Sequence, residues 1–169
     1  MKIYFVHPGE NKSGELTSNG VWQLKSLIRS LVNHKINVDR IYVNGHNISR
    51  QTGNILSKSL KVPIFSDERF VEINKSVILG DFKEGDIENL ENVNLFVDEI
   101  ISVGKDVIIT IGGGIHRAII SRLAGFNLDT TKHFSLSHGS ISLLEYHHVD
   151  GTGIWRIAYL NDTTHLRFP

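Results

Sequence analysis

The sequence predicts an α/β layered fold on a mainly parallel sheet. Short apolar, β-prone runs recur at residues 3–6, 41–43 and 107–111. Between them lie segments whose apolar residues fall at helical spacing. Strands alternating with helices in this way stack as layers around a parallel sheet.

Each element follows from its residues. Residues 3–6 (Ile-Tyr-Phe-Val) form a buried strand. Thr17 is placed to cap a helix in which Val21, Leu24, Ile28 and Leu31 share a face, joined by Trp22, Leu27 and Val32. Residues 41–43 form a second strand, and a helix over 48–61 buries Ile48, Thr52, Ile55, Leu56 and Leu60. Pro63 ends it, and 62–65 form a short strand. Residues 74–88, interrupted by Gly80 and Gly85, read as a loop. A helix over 87–103 points Val93, Phe96, Val97, Ile100 and Ile101 inward. The strand at 107–111 leads through Gly112-Gly113-Gly114 into a helix over 115–124, with Gly125 as its left-handed cap. The tail predicts two strands, 140–147 and 154–160, around Asp150-Gly151-Thr152-Gly153.

Bulk properties narrow the function classes. A chain of 169 residues with 40% apolar and 21% charged residues suits one globular domain, 1–169. Lys+Arg and Asp+Glu balance at 18 each, and no basic cluster breaks that balance, so a nucleic-acid partner is not expected. The absence of cysteine excludes thiolate nucleophiles and thiolate metal sites. No apolar run has membrane-spanning length and no signal-peptide pattern opens the chain, so a cytoplasmic protein with no membrane partner is expected.

Ligands of open α/β sheets bind outside the carboxyl ends of the strands. Two loops fall there: His7-Pro8-Gly9-Glu10 and Gly112-Gly113-Gly114. These loops and their surroundings resemble the histidine phosphatase (phosphoglycerate mutase-like) superfamily. That family opens with a strand, Arg-His-Gly-Glu, then a Leu-Thr-x-x-Gly helix start. Here the strand runs into His7-Pro8-Gly9-Glu10, followed by Leu16-Thr17-Ser18-Asn19-Gly20. The family's Ser-x-x-Arg-Ala-x-Gln-Thr is met by residues 44–49 and then Arg50-Gln51-Thr52. Asp67-Glu68-Arg69-Phe70-Val71-Glu72-Ile73 resembles Asp-Glu-Arg-Leu-x-Glu-Ile. Ser-His-Gly-Gly-x-x-Arg is met by Ile111-Gly112-Gly113-Gly114-Ile115-His116-Arg117. The end, from His138-Gly139-Ser140 to Leu166, looks like family tails. The pieces span nearly the whole chain in order, and imply a three-layer sandwich with a minimal cap.

In that family a histidine attacks phosphorus while two arginines and a second histidine clamp the phosphoryl oxygens. By resemblance, the nucleophile position here is Pro8, whose nitrogen belongs to the backbone. The two arginine positions are His7 and Ile48, and the second histidine position is Gly112. All four are changed. The resemblance therefore implies a degenerate site that is not a phosphohistidine phosphatase.

Other polar residues remain candidates. His7, Gly9, Asn44, His46, Gly112, Gly113 and Gly114 are candidate ligand-binding residues of the former phosphate pocket. His7, Glu72 and His138 are candidate acid/base groups if the pocket runs another reaction. His7, His46, His138 and Glu72 are donor types for zinc or iron, but no His-x-x-x-His spacing is present, so neither metal nor cofactor is expected. Glu10, Gln51, Thr52 and Arg117 read as scaffold, Arg50 as a solvated arginine, and His116 as a satisfied core histidine. His34, His133 and His165 read as surface residues. Three readings follow: a pseudophosphatase binding a small-molecule ligand or protein partner, a repurposed isomerase, lyase or hydrolase, and, ranked last, a residual phosphatase using His7. None fixes an oligomeric state.

Overall fold

The structure is a computed structural model that describes residues 1–70, 73, 75–81 and 85–167. Its centre is a six-stranded sheet in the order β5-β4-β6-β1-β7-β8. The strands are β1 (Lys2–Val6), β4 (Arg40–Val43), β5 (Ile64–Ser66), β6 (Val107–Thr110), β7 (Ile141–Val149) and β8 (Thr152–Asp162). A small hairpin, β2 (Asn11–Lys12) with β3 (Glu15–Leu16), stands apart. β5, β4, β6 and β1 are mutually parallel, and the β7–β8 hairpin joins antiparallel on β1. The mainly parallel sheet read from the sequence is the one observed.

Alternation along the strands makes the two outer layers. Ile3, Phe5, Tyr42, Val107 and Ile109 face one side, packed with Phe96 and Ile100 of α4 (Asp86–Val103) and Ile115 and Ile119 of α5 (Gly113–Ala124). Tyr4, Val6, Ile41, Val43 and Ile108 face the other, against Leu24 and Leu27 of α1 (Ser18–Asn33) and Leu56 of α2 (Asn47–Leu60). Thr17 caps α1, its hydroxyl accepting from the Gly20 N–H at 3.0 Å. Trp22 and Val32, expected inward, are exposed, because the buried stripe runs instead through Leu24, Leu27 and Leu31. In α2 Ile48, Ile55 and Leu60 are only half-buried, and the tightest packing is Gly53 against Val43.

The loop expected over 74–88 is a correction. A single helical turn, α3 (Lys75–Ile78), forms there, and α4 starts at Asp86. Gly80 and Gly85 punctuate it with φ of 87° and 83° rather than dissolving it. Val77 and Ile78 are buried in that turn, so tertiary packing overrides the glycine signal. No helix among the described residues is long and apolar enough to cross a membrane.

The register positions the site. Val6 and Val43 both lie level with Thr110, so three parallel strands end together. That places His7, Asn44 and Ile111 side by side at one sheet edge.

Candidate functional site

His7 leaves β1 with its N–H donating to the Ser140 carbonyl at 2.9 Å. Its ring stacks on that of His138, 5.8 Å between centroids and 26° between planes. His138 is held by contact of its Nδ1 with the Pro8 carbonyl at 3.3 Å. His7 Nδ1 is buried and has no hydrogen-bond partner among the described residues. Burial, then the fields of His138 and Arg117, pulls the His7 imidazole down to about 4, so it is neutral at pH 7. The sequence paired His7 with His138 as acid/base candidates, and they do meet. Glu72, the third of that group, lies outside the described residues.

On the neighbouring strand ends a cavity of about 430 Å³ opens. Gly14, Asn44, His46, Asn47, Ile48, Ser49 and Gly112 line it. It thus gathers Asn44, His46, Ile48 and Gly112 from the candidate residues, while His7 and His138 stand outside its lining. Asn44 is fully buried. Its Oδ1 accepts from the His46 N–H at 3.3 Å, and its Nδ2 has no partner. Ser49 is equally buried, its Oγ also without a partner. Sequence reading missed Ser49, because a serine one turn into a helix carries no signal of its own.

Two helices begin at this cavity. The hydrogen-bond ladder of α2 opens with Arg50 N–H to His46 C=O at 3.1 Å, and that of α5 with His116 N–H to Gly112 C=O at 3.1 Å. Neither has a side-chain cap. The amides before Arg50 and His116 therefore lie outside the helical ladders.

The glycines divide by role. A Cβ on Gly114 would collide with the Ile73 carbonyl, and one on Gly9 would sit 2.6 Å from the Gly20 carbonyl oxygen. Both are required by packing. A Cβ on Gly113 would meet side chains instead, the Arg117 guanidinium at 3.1 Å, Leu136 at 3.6 Å and the His7 ring at 3.7 Å.

The scaffold residues behave as such. Glu10 accepts from the Thr17 hydroxyl at 2.6 Å and the Asn19 amide at 2.9 Å, which lowers its carboxyl below the usual range. Arg117 donates to the carbonyls of Thr131 (3.1 Å), Gly113 (3.3 Å) and Phe134 (2.6 Å). Arg50 is exposed. Two histidine expectations need correction. His165 is half-buried, its Nε2 at 2.9 Å from the Gly139 carbonyl. His116 is in the core, stacked on Phe5 at 4.9 Å, yet neither ring nitrogen has a partner. The apolar face of α5 supplies no polar atom to meet it. Burial first, then His7 and Arg117, pulls its imidazole down to about 3. Among the described residues no three His, Asp or Glu side chains gather to hold a metal.

Sheet order, layers and strand-end site together define a phosphoglycerate mutase-like fold. No family model matches the sequence, and no curated protein matches it. The similarity is to solved structures. An α-ribazole phosphatase from Shigella flexneri matches with a TM-score of 0.76 at 17% identity, covering 96% of this chain and 97% of its own. A phosphoserine phosphatase from Entamoeba histolytica, solved with 3-phosphoglyceric acid, matches with a TM-score of 0.76 at 18% identity over 98% of each chain. A mycobacterial glucosyl-3-phosphoglycerate phosphatase matches with a TM-score of 0.73 at 14% identity, covering 95% of this chain and 98% of its own. At these identities the likeness is one of fold.

Proposed function

We propose that this chain is a catalytically degenerate protein on the histidine-phosphatase fold, binding a ligand or protein partner through the former phosphate pocket. The observation that carries this reading is Pro8. It occupies the nucleophile position by resemblance, and its only nitrogen is an amide with no lone pair to offer phosphorus. Ile48 and Gly112 bring neither a guanidinium nor an imidazole to the pocket wall. Loss of one such donor typically costs about 3–4 kcal/mol of transition-state stabilisation. Binding is supported by the orphaned donors of Asn44 and Ser49 on a cavity that has not collapsed. The test is phosphate release from a panel of phosphomonoesters, with His7→Ala alongside. Release from the wild type well above the variant would overturn the reading. A thermal-shift screen of metabolites then seeks the ligand.

A second reading has one observation in its favour. His7 is neutral, unpartnered at Nδ1 and stacked on His138, a pair suited to moving a proton in an isomerisation, elimination or hydrolysis. Under this reading His7, Glu72 and His138 are the acid/base groups of a repurposed enzyme. Turnover of any substrate at the wild-type rate by His7→Ala would count against it.

A further inference from the structure

We propose that the former phosphate pocket takes a carboxylate monoanion with an apolar body, rather than a phosphomonoester dianion; this rests on the reading above that the pocket binds a ligand. The cavity wall contains no arginine, lysine, aspartate or glutamate among the described residues. Arg117 stands outside that lining, its guanidinium turned to the Thr131, Gly113 and Phe134 carbonyls, so the positive potential at the wall comes from two helix starts. Each carries roughly half an elementary charge, so α2 and α5 together offer about one unit. That balances a monoanion and leaves the second charge of a phosphomonoester uncompensated in a partly dry site.

The donor set agrees. The amides of Ile48 and Ser49 open α2, that of Gly113 opens α5, and all precede the first ladder bonds. An independent feature points the same way. Asn44 is a wall residue fully shielded from solvent, and its Nδ2 has no acceptor. Its oxygen accepts the His46 N–H, whereas its donor end has no partner among the described residues. Ser49 adds a hydroxyl without a partner. A planar carboxylate, with two oxygens that accept only, matches a cluster of donors. Ile48 stands where the resemblance places an arginine, and presents hydrocarbon in its place. The acid head is therefore held by amides and Asn44, and the rest of the molecule rests on an apolar wall.

The test compares two probes with the same ring and different acids, benzoate and phenyl phosphate, by amide-resolved NMR of the whole chain near neutral pH. Benzoate is expected to shift the backbone amides of Ile48, Ser49 and Gly113 and the Asn44 side-chain amide, and phenyl phosphate to bind about tenfold more weakly. Asn44→Ala is expected to lose the benzoate shifts; because it also deletes the acceptor of the His46 N–H, its fold is checked in the same spectra by unchanged amides away from the pocket. Ile48→Arg, restoring one full charge, is expected to reverse the order of the two anions. Tighter binding of phenyl phosphate by the wild type at the same amides would overturn the inference and leave the binding reading standing. So would shifts there from a neutral compound alone. Silence of those amides toward every compound tried would end both.

Discussion

His116 sets up a pH-dependent stability that follows from its position. The ring is fully buried against Phe5, with both nitrogens unpartnered, and its imidazole lies at about 3 against an ordinary 6.5. The folded chain holds it neutral, while the unfolded chain takes up a proton as the pH falls through 6.5. This contribution is therefore undiminished well above 6.5 and is lost on acidification toward 3. A pH near 5 lies about 1.5 pH units below 6.5, which at roughly 1.4 kcal/mol per unit is a loss of about 2 kcal/mol. The figure holds whether the folded value is 3 or 4, because both lie below the test pH. His116→Leu removes the titration and two orphaned polar atoms. Urea unfolding of both proteins at about pH 7.5 and about pH 5 isolates the effect, since His7 and His165 titrate in each. Near pH 7.5 the variant should match or exceed the wild type, because a buried unsatisfied polar group costs about 1–3 kcal/mol. Near pH 5 the variant should be ahead by a further 2 kcal/mol or so. Equal pH dependence in the two proteins would refute the argument. A variant weaker by several kcal/mol near pH 7.5 would mean that the ring has a polar partner after all.

Further outcomes follow from single residues. Pro8→His should leave phosphate release at background, since Ile48 and Gly112 still offer no charged clamp; a colorimetric phosphate assay decides it. Gly114→Ala forces a Cβ into the Ile73 carbonyl and should destabilise by about 1–3 kcal/mol, whereas Gly113→Ala asks only a slight shift of the Arg117 Nη1 end and should cost less; paired urea melts separate them. Thr17→Ala removes the α1 cap and the Glu10 contact and should cost about 1 kcal/mol by the same measurement.

The fold was largely legible because its signals are local and repeated. The runs ending at Val6, Val43 and Thr110 are recognisable as short, continuous β-prone stretches, buried on both faces. Gly125 announced its left-handed cap, observed with φ of 72°. The short turn at Lys75–Ile78 was not legible, because its reason is the burial of Val77 and Ile78 against distant residues. The site was legible in part. Loop position pointed to His7, Asn44, His46 and Gly112, but spacing did not say that the last three share a cavity and His7 does not. Nor did it separate Gly114, fixed by the Ile73 backbone, from Gly113. Ser49 and the unpartnered nitrogens of His116 depend on what surrounds them, which no single position records.

The distribution of unpartnered polar atoms bears on why the pocket persists. Among the described residues Ser26 Oγ, Thr52 Oγ1 and both His116 ring nitrogens are buried without partners within helices, and so are His7 Nδ1, Asn44 Nδ2, Ser49 Oγ, Thr110 Oγ1 and Ser140 Oγ nearer the sheet edge. These last five sit where β1, β4 and β6 end, at the first turn of α2, and just ahead of β7. Each costs stability, by about 1–3 kcal/mol where water is excluded. Most would be cheaper as alanine or valine, because an apolar group of the same shape is nearly neutral in such a place. A pocket that only filled space would have no use for them. The five beside the strand ends, where open α/β sheets receive ligands, support a site whose donors are satisfied when something is bound. On the proposed reading, loss of the phosphohistidine machinery and retention of the donors are then compatible. Chemistry needs Pro8 to be something else, whereas recognition needs only helix starts, Asn44 and a cavity.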